Sequence, residues 1–216
     1  MNRSVRSLAS GLAFASLVPA VAAAQAGRNF DDSWFWGAKV GTMSFSTKSA
    51  HNVAAPLIGG EWLITRSKGA LYISAEQVFF NRSSVLTSNQ GAVVPVSIRD
   101  MQRVMAAALA FPGLYGRALR PYGGVGLALN FIRSAHASDS IPTSFALNAP
   151  QAIEDQKSSA SVVVIAGLQA QYRRFSVFGQ ADMMPSTKTF FFNDRATYTI
   201  SAGLRWNFGT SIDRPE

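Results

Sequence analysis

The chain has 216 residues and a formal net charge of +8, with 15% charged and 48% hydrophobic residues and no cysteine. Low charge with abundant aromatics and glycine excludes a disordered chain, which needs the reverse balance. The absence of cysteine excludes a disulfide scaffold, thiol nucleophiles, thiolate-bound zinc and iron–sulfur clusters.

In chain order, residues 1–26 have the composition of an export signal. Arg3 and Arg6 carry charge without a neighbouring acid, Leu8 to Val21 is apolar or small, and Ala24-Gln25-Ala26 matches a small-residue cleavage pattern. Cleavage after Ala26 is expected, with residues 27–209 forming one β-barrel domain and 210–216 a short tail. No later apolar run reaches the roughly 20 residues that a membrane-spanning helix needs. An exported chain of this kind is either water-soluble or a barrel in an outer membrane.

Alternation with a period of two recurs along the mature chain and predicts strands at Ser33–Phe45, Ala55–Arg66, Ala70–Phe80, Val96–Phe111, Arg120–Ile132, Ser159–Tyr172, Phe175–Met184 and Ala196–Phe208. The last is the most regular. Tyr198, Ile200, Ala202, Leu204, Trp206 and Phe208 occupy one face, and Thr197, Thr199, Ser201, Gly203, Arg205 and Asn207 the other. The second face of such strands is small or polar. That suits the interior of an eight-stranded barrel, which side chains just fill. The large apolar face then points outward, where lipid accepts it. Aromatics near strand ends, among them Trp34, Trp36, Tyr172, Phe175 and Trp206, fit interfacial girdles. A soluble lipocalin-like barrel is the alternative, and the low charge argues against it. The expected fold class is therefore an all-β, eight-stranded antiparallel up-and-down transmembrane β-barrel.

The connections alternate in length. Those at 46–54, 81–95, 133–158 and 185–195 are long and are assigned to the outer side, with both termini periplasmic. The short turns carry Arg66, Lys68, Arg117, Arg120, Arg173 and Arg174, a basic set suited either to anionic lipid or to ordinary solvation.

The face assignments put Lys39, Glu61, Glu76, Asp182 and Arg205 inside, where charges must pair. An ion-pair network plugging the barrel is expected, with a gated polar path as the alternative. Two cations against three acids leaves one acid to be protonated or bridged by water. Arg103 falls among Met101, Met105, Leu109 and Phe111, a face that looks lipid-directed; a shift of face would turn it inward. His51 and His136 are the only histidines and fall in outer loops, too few for a metal site, so no metal or other cofactor is expected. No G-x-S-x-G elbow, phosphate-binding loop or nucleic-acid motif is present.

The segment Arg120-Pro-Tyr-Gly-Gly-Val-Gly-Leu-Ala-Leu and the closing Ile200-Ser-Ala-Gly-Leu-Arg-Trp-Asn-Phe208 resemble strands of the small eight-stranded outer-membrane β-barrel proteins, the class of the barrel domain of outer membrane protein A. The resemblance implies the barrel architecture and an interior ion-pair cluster, but no single activity, because the fold hosts tethers, adhesins, narrow channels and lipid A enzymes. It also implies recognition of Trp206 and Phe208 by the barrel-assembly machinery, although here Gly209 to Glu216 follow the closing aromatic. His136-Ala137-Ser138 is similar to the His-x-Ser arrangement of barrels that deacylate lipid A, with Glu154 or Asp155 as a third member. The expected function is a non-enzymatic, monomeric outer-membrane protein that contacts membrane lipid and lipopolysaccharide, with its loops, above all 133–158, binding or shielding. A lipid A-modifying enzyme using His136 and Ser138, and a narrow conduit for small apolar solutes, are the alternatives.

Overall fold

The computed structural model describes residues 30–47, 49, 51–66, 68–87, 93–112, 119–137, 154, 157–185, 192 and 196–211. Residues 1–26, expected from the sequence to be an export signal, and most of the expected C-terminal tail lie outside them. Eight strands form: β1 (Ser33–Phe45), β2 (Val53–Arg66), β3 (Gly69–Thr87), β4 (Val93–Ala110), β5 (Leu119–Ala137), β6 (Ser158–Tyr172), β7 (Phe175–Pro185) and β8 (Ala196–Thr210). Each pairs antiparallel with the next, and β8 returns to β1, closing the barrel. Over the height at which all eight strands pair, closure leaves no strand edge, so the ladder groups there have partners available.

Alternating side chains build the wall. Outside stand Val40, Ile58, Leu71, Val125, Leu127, Val162, Val177, Ile200 and Leu204, all exposed. Such a continuous apolar surface is poorly hydrated in water and is what a hydrocarbon environment accepts. At the short-turn end this surface finishes in a group of tryptophans: Trp62 packs edge-on against Trp34 and stacks on Trp36, and Trp36 lies opposite Trp206 across the closing seam.

The connections differ from the sequence expectation in one respect. β3 continues to Thr87 and β4 begins at Val93, so most of the expected 81–95 loop is paired strand, and β5 likewise runs on to Ala137. The three strands rise beyond their neighbours: pairing of β2 with β3 stops at Leu57–Val78, and that of β5 with β6 at Phe131–Ser158. The reason the extension escaped the period-two reading sits at Asp100. It adopts a positive φ of 51°, Phe79 and Phe80 bulge opposite it, and its carboxylate accepts from the Phe80 N–H at 3.1 Å. Alternation on β4 changes phase there, from inward Met101 to outward Arg99.

At the short-turn end, β6 and β7 are joined by Arg173 and Arg174, with Arg173 at a φ of 54°, the left-handed conformation such a tight hairpin requires. The interior divides into two apolar clusters. One, nearer the long loops, contains Met43, Phe45, Leu57, Val78, Ile98 and Met101. The other, nearer the short turns, contains Phe30, Phe35, Leu63, Leu109, Phe111 and Tyr122.

Candidate functional site

The polar layer between those clusters gathers ionisable groups from six strands. Lys39 comes from β1, Glu61 from β2, Glu76 and Tyr72 from β3, Arg103 from β4, Asp182 from β7 and Arg205 from β8, all buried. Two ion-paired centres result. In the first, Glu76 takes Lys39 Nζ on Oε1 and the Arg103 guanidinium on Oε2, with Arg103 Nε at 2.7 Å. In the second, Glu61 Oε1 takes Arg205 Nε. Tyr72 joins them: its hydroxyl accepts from Lys39 Nζ at 2.7 Å and donates to Glu61 Oε2 at 3.0 Å.

Uncharged groups complete the layer. Arg205 also donates to Gln169 Oε1 and to the Tyr122 hydroxyl, and its guanidinium lies 3.9 Å from the Phe178 ring centre. Tyr122 donates to Gln180 Oε1 at 3.0 Å. Arg103 donates to Thr199 Oγ1 at 3.1 Å and leans on the Met184 sulfur. Asp182 is held by Gln180 Nε2 at 2.8 Å rather than by a cation. Buried charges are tolerated only when paired and hydrogen-bonded, and each cation here meets both conditions.

Arg103 corrects the lipid-directed assignment of its face. It is wholly buried, as are Met101 and Met105. On β4 the larger residues fill the lumen, while outward positions are Val104, Ala106, Ala108 and Ala110. Size therefore misleads on that strand. With Arg103 inside, three cations (Lys39, Arg103, Arg205) face three carboxylates (Glu61, Glu76, Asp182), and the expected surplus of acid disappears.

Glycines make the room. A Cβ on Gly37 would fall 3.0 Å from both Arg205 Cγ and Glu61 Cγ, and one on Gly167 only 2.3 Å from Tyr122 Cζ. Below the layer, Phe30 closes the short-turn end against Phe35 and Phe111, and Thr65 Oγ1 donates to its carbonyl. Arg120, grouped in the sequence with turn cations suited either to anionic lipid or to ordinary solvation, is instead buried there with its guanidinium 4.0 Å from the Phe30 ring centre. Above the layer, Phe192 stacks on Phe45 with ring centres 4.3 Å apart.

No protein-family model matches the chain, and no curated protein matches it in sequence. Among solved structures it is similar to Neisserial surface protein A, at 12% identity over 81% of this chain and 97% of that one, with a TM-score of 0.55. A second similar structure is the outer membrane protein OprG from Pseudomonas aeruginosa, at 11% identity, covering 85% of this chain and 100% of that one, with a TM-score of 0.47. The fold is that of the small eight-stranded outer-membrane barrels.

The remaining candidates of this outer-membrane-type barrel lie at its long-loop end. His51 and His136 are exposed, and His136 Nδ1 lies 2.9 Å from Ser134 Oγ. Ser138 and Asp155 lie outside the described residues, and Glu154 is ion-paired with Lys157. Among the described residues, no group of three His, Cys, Asp or Glu side chains is placed to hold a metal ion. At the other end Arg66, Lys68, Arg173 and Arg174 are exposed as expected of turn residues, and Arg117 lies outside the described residues.

Proposed function

We propose that the chain is an outer-membrane protein that crosses the bilayer as a closed, side-chain-filled barrel and acts at its surface rather than as a pore or an enzyme. The observation that carries this reading is the balanced layer of Lys39, Glu61, Glu76, Arg103, Asp182 and Arg205, buried between two apolar clusters. An eight-stranded barrel has an interior just wide enough for its own side chains, and here those side chains bond to one another. The exposed apolar wall and the tryptophan group at one end support the membrane setting.

Planar-bilayer recording with the refolded full chain tests the closed interior. The expected result is no stable conductance for the wild type or for Lys39→Met, which leaves the apolar clusters in place. Discrete openings in the wild type, or openings created by Lys39→Met alone, would replace the plug with a gated path. Mass spectrometry of lipid A incubated with the folded chain tests the non-enzymatic role. Loss of an acyl chain that disappears in Ser138→Ala would establish the lipid A hydrolase in its place.

A further inference from the structure

The buried polar layer leaves hydrogen-bonding capacity unused at one place, on β7, β8 and β1 beside the closing seam. Asp182 Oδ2 and Ser201 Oγ are buried and have no hydrogen-bond partner among the described residues. The Lys39 ammonium carries three N–H donors. Two of them are taken, by the Tyr72 hydroxyl and by Glu76 Oε1.

The three groups are neighbours. Ser201 pairs with Gln180 and Asp182 with Thr199, so Ser201 and Asp182 form a diagonal pair on the inward face of β7 and β8. Diagonal neighbours stand about 7 Å apart, a gap that two short side chains and one water fill. Lys39 approaches from β1, where the inward residue next to it is Gly41, the partner of Ser201, which has no side chain to stand between them. The Gln180 amide ties the spot together. Its Nε2 donates to Asp182 Oδ1 at 2.8 Å and to the Tyr72 hydroxyl at 3.3 Å, and that hydroxyl accepts from Lys39 Nζ at 2.7 Å. Asp182 and Lys39 are thus joined through Gln180 and Tyr72 without a direct ion pair.

We propose that Asp182, Ser201 and Lys39 enclose one buried water, which converts Asp182 and Lys39 into a water-bridged ion pair across the closing seam. A proton on Asp182 or a small metal cation would also satisfy the carboxylate, but three cations already face three carboxylates in the layer. Either would leave a net positive charge in the interior, where unpaired charge is costly. Water adds no charge and is both donor and acceptor. It accepts from Lys39 Nζ, donates to Asp182 Oδ2 and makes its third bond to Ser201 Oγ, and about three such bonds are usual for a buried water. The bridge gives Asp182 the cation it lacks in direct contact, and it fastens β7 and β8 to β1. The proposal rests on the reading of the layer as a closed plug.

A crystal structure of the refolded full chain, at a resolution that shows ordered water, tests it on the wild type. One water within hydrogen-bond distance of Asp182 Oδ2, Ser201 Oγ and Lys39 Nζ is expected. A direct Lys39–Asp182 contact, no density between the three groups, or an anomalous peak there after a thallium(I) soak, the mark of a monovalent cation site, overturns it. Carbon-13 NMR of the Asp182 carboxyl in the folded chain at neutral pH is a second readout. The shift of an ionised carboxylate is expected, and that of a protonated one overturns the bridge. Urea unfolding measures the coupling: Asp182→Asn and Lys39→Met should each lower the midpoint, and the double variant should lower it by less than the two shifts together. Strict additivity overturns the bridge, and where a variant fails to fold the two wild-type readings decide. Failure here is separable from failure of the plug. Channel openings in planar bilayers would remove the plug, whereas silent bilayers with no bridging water would remove only this site.

Discussion

Arg103 on β4 and Glu76 on β3 face each other directly across the β3–β4 ladder, and the pair is shut off from solvent on both sides. Glu76 is also the only carboxylate within ion-pair distance of Lys39 among the described residues, so one acid pairs with two cations. Glu61 pairs with Arg205, whereas Asp182 accepts from the neutral Gln180 amide, so it completes the formal count of three acids to three cations without an ion pair among the described residues.

Arg103→Met is expected to destabilise the barrel by about 3–5 kcal/mol, the usual cost of removing one partner from a buried pair. Urea unfolding in lipid vesicles, followed by tryptophan fluorescence, measures it. Arg99→Met, on the exposed wall only four residues away, should change stability by less than about 0.5 kcal/mol. Equal effects from the two substitutions would mean that Arg103 does not point inward.

Gly167→Ala should cost about 1–3 kcal/mol through overpacking. The added carbon would sit 2.3 Å from Tyr122 Cζ and 2.7 Å from the Gly179 carbonyl oxygen. Pairing it with Tyr122→Ala removes the ring contact, so the two changes together should destabilise by less than their sum. A double-mutant cycle read from the temperature of the gel-mobility shift decides this, and strict additivity would separate the two residues.

Leu127→Arg places a charge on a wall position that is 63% exposed and flanked by Ala106 and Val162. In a bilayer it should cost about 2–4 kcal/mol. On a water-facing barrel the same change would be nearly neutral, and a neutral result in vesicles would end the membrane assignment.

Thr65→Val removes the hydroxyl that receives the Ser33 N–H at 3.1 Å and donates to the Phe30 carbonyl. A loss of about 1–2 kcal/mol is expected from the buried groups left unsatisfied. Amide exchange at Ser33 should speed up while exchange at Ile165 stays slow. Unchanged protection at Ser33 would mean that Thr65 does not fasten that segment.

Much of the wall was legible in the sequence because its strands obey one rule. β8 keeps Tyr198, Ile200, Leu204, Trp206 and Phe208 outside and Thr199, Ser201, Arg205 and Asn207 inside, as their alternation implies. β4 breaks the rule, since its outward alanines are smaller than its inward methionines, and the size contrast that marks the lipid face is inverted. The upper parts of β3, β4 and β5 were hidden for a different reason. A left-handed Asp100 shifts the phase of alternation, and a pattern that changes phase reads as a loop. Inside, the alternation told which charges point inward but not which ones meet. Glu61 lies beside Gly37 in the ladder, yet its cation arrives from β8 through the space that glycine leaves. Partners across a lumen depend on side-chain reach and on gaps in the opposite wall, neither of which is written along a strand.

The seam that joins β1 to β8 has a consequence for how the molecule is made. Arg205 and Glu61 are 144 residues apart in sequence, and Arg103 and Thr199 are 96 apart. Such distant pairings come late and slowly in folding. Until the last hairpin arrives, Glu61 has no counter-ion and half of the lumen is an open trough of acids and bases. A ribbon in that condition gains little by entering hydrocarbon. Synthesis must therefore reach its final strand before insertion becomes favourable, and a chain truncated before residue 196 would be left stranded on the aqueous side, a substrate for proteases.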